Sequence, residues 1–154
     1  MSNMKFIPIL LITLVLAVVA CNKDKFTTVP QFKVESISPN TVFNGNIVSL
    51  KGHFTDQEGD LDSAYIVYKW YNGAAVVRKD TFRYNMAGLG LPVNTRQADV
   101  TIDFQYNTGN PNGYVTLPGA STRDTTATLG LILLDKAKNR SAYAESNQIR
   151  LKKP

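Results

Sequence analysis

The chain has 154 residues, 17 Lys and Arg against 12 Asp and Glu, and a formal charge of +5. With one cysteine and one histidine, it cannot form an internal disulfide and lacks the ligands for a structural zinc site. Its cations are scattered rather than run together, so the surplus reads as solubility and gives no sign of nucleic-acid binding.

Met1 to Lys5 form a short basic start, and an apolar run from Phe6 to Val19 closes on Val18-Val19-Ala20-Cys21. This is the layout of a secretory signal. The uncharged stretch between Lys5 and Lys23 is shorter than the ~20 residues of a spanning helix, and Pro8 and Thr13 weaken it further. Its exit resembles the lipobox of bacterial lipoproteins, in which small residues precede a cysteine that is lipidated before cleavage. The resemblance implies a signal peptide over residues 1–20 and lipidation at Cys21. Asn22 stands where an aspartate would mark inner-membrane retention in lipoproteins of enteric type, so the outer membrane is the expected address. Removing residues 1–20 takes away one charge, Lys5, and leaves enough chain for one domain with a core.

Residues 21–30 are polar and read as the tether between lipid and domain. Residues 31–154 show period-2 patterning and little that looks helical. Phe32, Val34 and Ile37 begin a first strand that Pro39-Asn40 ends. Ile47, Val48, Leu50 and Phe54 lie in a second, entered through Asn44-Gly45. Tyr65 to Tyr71 make an aromatic third, and Asn72-Gly73 is a hairpin signal that returns Val76 to Tyr84 as the fourth. Val100, Ile102, Phe104 and Tyr106 make a fifth, Thr126 to Leu134 a nearly continuous apolar sixth, and Tyr143 to Leu151 a seventh. Seven short strands with turn residues between them predict a single immunoglobulin-like β-sandwich, with Trp70 in its core. Gly/Asn/Pro-rich stretches at 85–97 and 107–123 are the candidate functional loops.

Asp56, Glu58, Asp60 and Asp62 put four carboxylates within seven residues, an oxygen-rich set that suits Ca²⁺. An EF-hand is excluded, because the twelfth position of a loop starting at Asp56 is Val67. In a sandwich the loops after the second and sixth strands emerge at one end, which would bring Asp135 and Asn139 towards the four acids. The alternative is that these residues only cap turns, with Lys136, Lys138 and Arg140 neutralising the carboxylates. The segments Phe54–Asp62 and Asp135–Ser141 are similar to loops of cadherin-like and polycystic-kidney-disease-type domains of secreted bacterial proteins. Lys138 departs from that pattern, which has glycine there.

Strand alternation places the tether at the acidic end and the 107–123 loop at the opposite, membrane-distal end. Tyr106, Asn110, Asn112 and Tyr114 in and beside that loop combine rings and amides in the composition of a recognition surface. No serine sits in a G-x-S-x-G elbow. Asp99 and Asp103 share a strand face without a cleft to work in. The sequence therefore reads as a non-catalytic, lipid-anchored envelope protein that binds a protein or glycan partner. A structural scaffold in an envelope complex is the rival reading, and a small envelope hydrolase a further one.

Overall fold

The computed structural model describes residues 27–86, 92, 94–108, 113–119 and 122–153. Among these residues ten strands follow in chain order: β1 (Gln31–Ser38), β2 (Thr41–Val42), β3 (Ile47–Thr55), β4 (Leu61–Asn72), β5 (Ala75–Asn85), β6 (Gln97–Tyr106), β7 (Val115–Leu117), β8 (Thr125–Asp135), β9 (Ala144–Glu145) and β10 (Ile149–Leu151). One sheet has the order β1-β3-β6-β7 and the other β2-β10-β8-β4-β5, with β9 beside β8. The division of strands between the two sheets is that of an immunoglobulin-like sandwich. The chain changes sheets between β1 and β2, where the Ser38–Pro39 bond is cis. β2 then runs parallel to β10.

Alternation explains the core. On β3, Val48, Leu50 and Phe54 point inward, while Ser49, Lys51 and His53 lie on the other face. On β6, beside β3 in the same sheet, Ile102, Phe104 and Tyr106 point inward too, and Ile66, Tyr68, Leu129, Leu131, Ile149 and Leu151 face them from the second sheet. Burying each large side chain contributes about 1.5–3 kcal/mol. Trp70 lies at the margin of this core, half-buried, with its ring edge-on to Tyr68 at 5.7 Å and Arg78 over its face at 4.8 Å. Tyr68, 1 % exposed, takes the central place.

The β4–β5 hairpin turns through Gly73 at φ 61°, and Asn72 pairs with Ala75. β5 is an edge strand, and its Asp80 is opposite Tyr68, on the inward side, paired with Arg78 at 3.0 Å. An inward charge of this kind discourages a further strand from adding to the edge.

The seventh strand expected over Tyr143–Leu151 is broken into pieces that step along β8. Arg140 is opposite Leu134, Ala144 opposite Leu131, Glu145 opposite Gly130 and Ile149 opposite Ala127. At each of the two steps the outer chain gains one residue on β8. A buried serine sits at both. The Leu133 and Leu129 amides donate to Ser141 Oγ and Ser146 Oγ at 2.8 and 3.1 Å. The hydroxyls in turn donate to the Ala142 and Asn147 carbonyls at 2.9 and 2.8 Å. Each hydroxyl stands in for a missing strand carbonyl, so no buried β8 amide is orphaned there.

Candidate functional site

Strand direction sets the two ends of the molecule. Gln31 pairs with Thr55, so β1 begins at the end where β3 delivers the acidic loop. The Gln57 amide donates to the Thr27 carbonyl at 3.3 Å, so the chain entering the domain lies against that loop. The loop is held from two more sides. The Asp56 amide donates to the Arg96 carbonyl at 2.7 Å, and the Lys136 amide to the Asp60 carbonyl at 3.1 Å. Gly59 takes φ 68°, and a Cβ there would stand 2.7 Å from the Asn94 carbonyl oxygen, so only glycine fits.

Within this clasp, Asp56, Glu58 and Asp60 each bring a carboxylate oxygen to within 4.8 Å of the others. The three acids therefore form a cluster that could hold a metal ion. Asp56 is completely buried, and its Oδ2 accepts the Asp60 amide at 2.9 Å. Among the described residues, Asp56 Oδ1 and Asp60 Oδ1 are buried without a hydrogen-bond partner. Burial raises the Asp56 pKa above the usual carboxylate range; the Asp60 amide opposes this, and the charges of Asp60, Glu58 and Asp135 add to it. A cation would satisfy both orphaned oxygens and relieve the repulsion.

The other expected ligands are engaged elsewhere. Asp62 faces Arg83 at 3.3 Å and Lys138 at 3.7 Å. Asp135, 1 % exposed, is near enough to influence Asp56, yet its oxygens accept the Asn139 amide and side chain, both at 2.7 Å. Asp135 and Asn139 thus brace the turn after β8. Lys138 in that turn takes φ 72°, a left-handed conformation that favours glycine.

At the opposite end, the expectation for Tyr106 is corrected. It is 0 % exposed, and its hydroxyl donates to the Lys152 carbonyl at 3.0 Å. It is a core residue, because it continues the inward alternation of Ile102 and Phe104. Tyr114 is exposed at 37 %. Asn110 and Asn112 lie outside the described residues, as do residues 1–20 and Cys21. Asn107, at φ 60°, accepts the Gly119 amide at 3.0 Å and donates to Asn44 at 3.1 Å, tying the loop down. Asp124 accepts from Lys152 Nζ at 2.6 Å and from the Lys153 amide at 3.2 Å, with Arg150 at 3.5 Å. Its pKa is lowered, chiefly by the Lys152 hydrogen bond.

On the outer face of the first sheet, His53 Nδ1 lies 2.6 Å from Asp99, and Ser49 donates to Asp103 at 2.6 Å. Ser49 and His53 are four residues apart on β3, about 13 Å. They do not form a relay.

The outer face of the second sheet carries a group that the sequence reading missed. The Arg83 and Arg140 guanidinium carbons lie 5.8 and 5.5 Å from the centre of the Tyr65 ring. Beside them, Glu145 Oε1 accepts from Lys69 at 3.0 Å, Tyr71 at 3.0 Å and Thr128 at 2.5 Å. Burial resists the Glu145 charge, but these three donors outweigh it and lower its pKa. Lys69 also lies 4.3 Å from the centre of the Tyr143 ring. A Cβ at Gly130 would fall 2.3 Å from that ring, so glycine is what lets Tyr143 lie on the sheet.

No protein family and no curated protein matches the chain in sequence. Among solved structures it is similar to the sporulation control protein Spo0M of Bacillus subtilis, at TM-score 0.45 and 10 % identity over 83 % of this chain and 51 % of that one. The chain thus spans about half of the Spo0M chain. A Niemann-Pick type C2 protein from the Japanese carpenter ant is similar at TM-score 0.45 and 9 % identity, over 86 % and 98 % of the two chains. The CARDB domain of a Pyrococcus furiosus protein, in complex with di-metal ions, is similar at TM-score 0.29 and 11 % identity, over 86 % and 95 %. The immunoglobulin-like assignment rests on this chain's own strand order.

Proposed function

We propose that this chain is an exported, lipid-anchored binding module of the bacterial outer membrane, without catalytic activity, whose tether-side corner binds Ca²⁺. Two orphaned buried oxygens inside a cluster of three carboxylates carry the metal reading. Hard oxygen donors of this type suit calcium. The position of the cluster adds a role for the ion. Thr27, at the entry of the tether, is hydrogen-bonded to the acidic loop through Gln57, so calcium there would stiffen the joint between anchor and domain. Support for the anchor is the Val18–Cys21 sequence, whose thiol has no other cysteine to pair with.

Thermal melting in EDTA and in millimolar Ca²⁺ tests the metal. Free calcium a hundredfold above the dissociation constant adds about 2.7 kcal/mol, a rise of several degrees in midpoint for a domain of this size. The rise should vanish in Asp60→Asn; an unchanged midpoint in the parent chain would return the loop to the class of solvated turns. Cys21→Ser should move the protein from the membrane fraction to the soluble one and abolish incorporation of labelled fatty acid. Retention of label in that variant would dismiss the anchor.

A further inference from the structure

The two outer faces of the sandwich differ in charge and in ring content. On the first sheet, Lys33, Lys51 and His53 stand with Asp99 and Asp103 in a balanced polar array. On the second sheet, each acid is already matched: Glu145 by Lys69, and Asp62 by Arg83 and Lys138. Arg140 and Lys79 are exposed and make no ion pair among the described residues. Lys79 lies directly opposite Lys69. Lys69 is neutralised by Glu145, which leaves Lys79 as the unmatched charge of this pair. Arg140 and Arg83 flank Tyr65 four residues away along β4, about 13 Å from the lysine pair.

We propose that this face binds an anionic polysaccharide, with carboxylate or sulfate groups held at the Arg83–Tyr65–Arg140 cluster and again at Lys79. The proposal rests on the binding-module reading and names the class of its partner. Guanidinium groups offer paired, planar donors that fit such anions. The rings of Tyr65 and Tyr143 are covered by Arg83, Arg140 and Lys69, and so hold these cations in fixed places along the face, spaced for a polymer that carries repeated anionic groups. The strand pairing argues against an acidic peptide. Peptides dock on sheet edges or in grooves; β4 is paired on both sides, and the edge strand β5 carries the inward Asp80–Arg78 pair that discourages strand addition.

The test uses the full chain in nonionic detergent, in EDTA, and measures binding to polygalacturonate by affinity electrophoresis. Neutral dextran, poly-glutamate, double-stranded DNA and mixed micelles containing phosphatidylglycerol serve as comparators. Polygalacturonate should retard the protein, with at least tenfold weaker binding in R83Q/R140Q and a smaller loss in K79Q. Both variants sit on exposed side chains, and an unchanged calcium-dependent melt shows that the fold and the metal corner survive. Absence of retardation, or equal retardation of R83Q/R140Q, would overturn the proposal while leaving the calcium and lipid tests untouched. Equal or tighter binding to poly-glutamate, DNA or the anionic micelles would also overturn it.

Discussion

Asp56 and Asp124 are carboxylates at opposite ends of one sandwich, and their surroundings push them in opposite directions. Asp124 is ringed by Lys152, Arg150 and the Lys153 amide, which lower its pKa. Asp56 is enclosed, has like charges for neighbours, and is raised. The polar groups that tie down the Asp124 end are paired: Tyr106 to the Lys152 carbonyl, Asn107 to Gly119 and Asn44. The Asp56 end buries two oxygens with nothing to accept from. Gln105 Oε1 and Thr108 Oγ1 at the other end are also buried without a partner among the described residues, so what sets the Asp56 end apart is that its orphaned atoms are carboxylate oxygens, the costliest kind to leave unpaired.

The sharpest break between the ends should come from core truncation. Tyr106→Ala should cost about 3–5 kcal/mol in urea unfolding, and Tyr106→Phe about 1 kcal/mol for the hydrogen bond alone. A loss of less than 1 kcal/mol for the alanine variant would contradict the core assignment. Next in size is Asp56→Asn, which should reverse sign with conditions. In EDTA it should raise the melting midpoint, because it keeps an acceptor for the Asp60 amide and removes a buried charge. In Ca²⁺ it should lower the midpoint by the metal's contribution, about 2.7 kcal/mol at a hundredfold excess. Destabilisation of equal size in both media would mean a purely structural aspartate. Lys138→Gly should stabilise by about 1 kcal/mol by releasing the left-handed strain, which chemical denaturation would read directly.

The smallest effects are in pH, and their signs differ. Asp56 has a folded pKa above its unfolded one, so in EDTA its contribution falls as pH rises from the usual carboxylate range through the raised value. Asp124 has a depressed folded pKa. Its contribution is present above the usual carboxylate range and is lost as pH falls through the lowered value. Replacing each by Asn should remove its own slope from the midpoint-against-pH curve. Identical slopes would erase the contrast between the ends.

Much of this was legible in the sequence because alternation survives in it. Val48-Leu50-Phe54 and Ile102-Phe104-Tyr106 state their inward faces residue by residue, and the six long strands follow from such runs. β2 and β7, with two and three residues, are too short to show a period. Tyr106 was misread because its neighbours Asn107 and Gly109 have a loop composition, although its own parity belongs to the strand. Convergence of Asp56, Glu58 and Asp60 was readable from their spacing. The engagement of Asp135 with Asn139 was not, since the same residues can face a metal or close a turn. The Tyr65, Arg83 and Arg140 cluster was invisible for a different reason: three strands must first be in register before those residues meet.

Register is also where Ser141 and Ser146 matter beyond hydrogen bonding. In an unbroken strand Arg140 and Glu145, of opposite parity, would project to opposite sides, and Glu145 would share a side with Ile149 and Leu151. Each serine step resets the phase by one residue. Arg140 and Glu145 consequently reach the same outer surface, and Ile149 and Leu151 still reach the core. The two hydroxyls act as a vernier on the last strand, adjusting which surface each segment addresses without loosening the sheet. Deleting one residue between Arg140 and Ala144 would leave the core-facing end intact and turn Arg140 away from Tyr65.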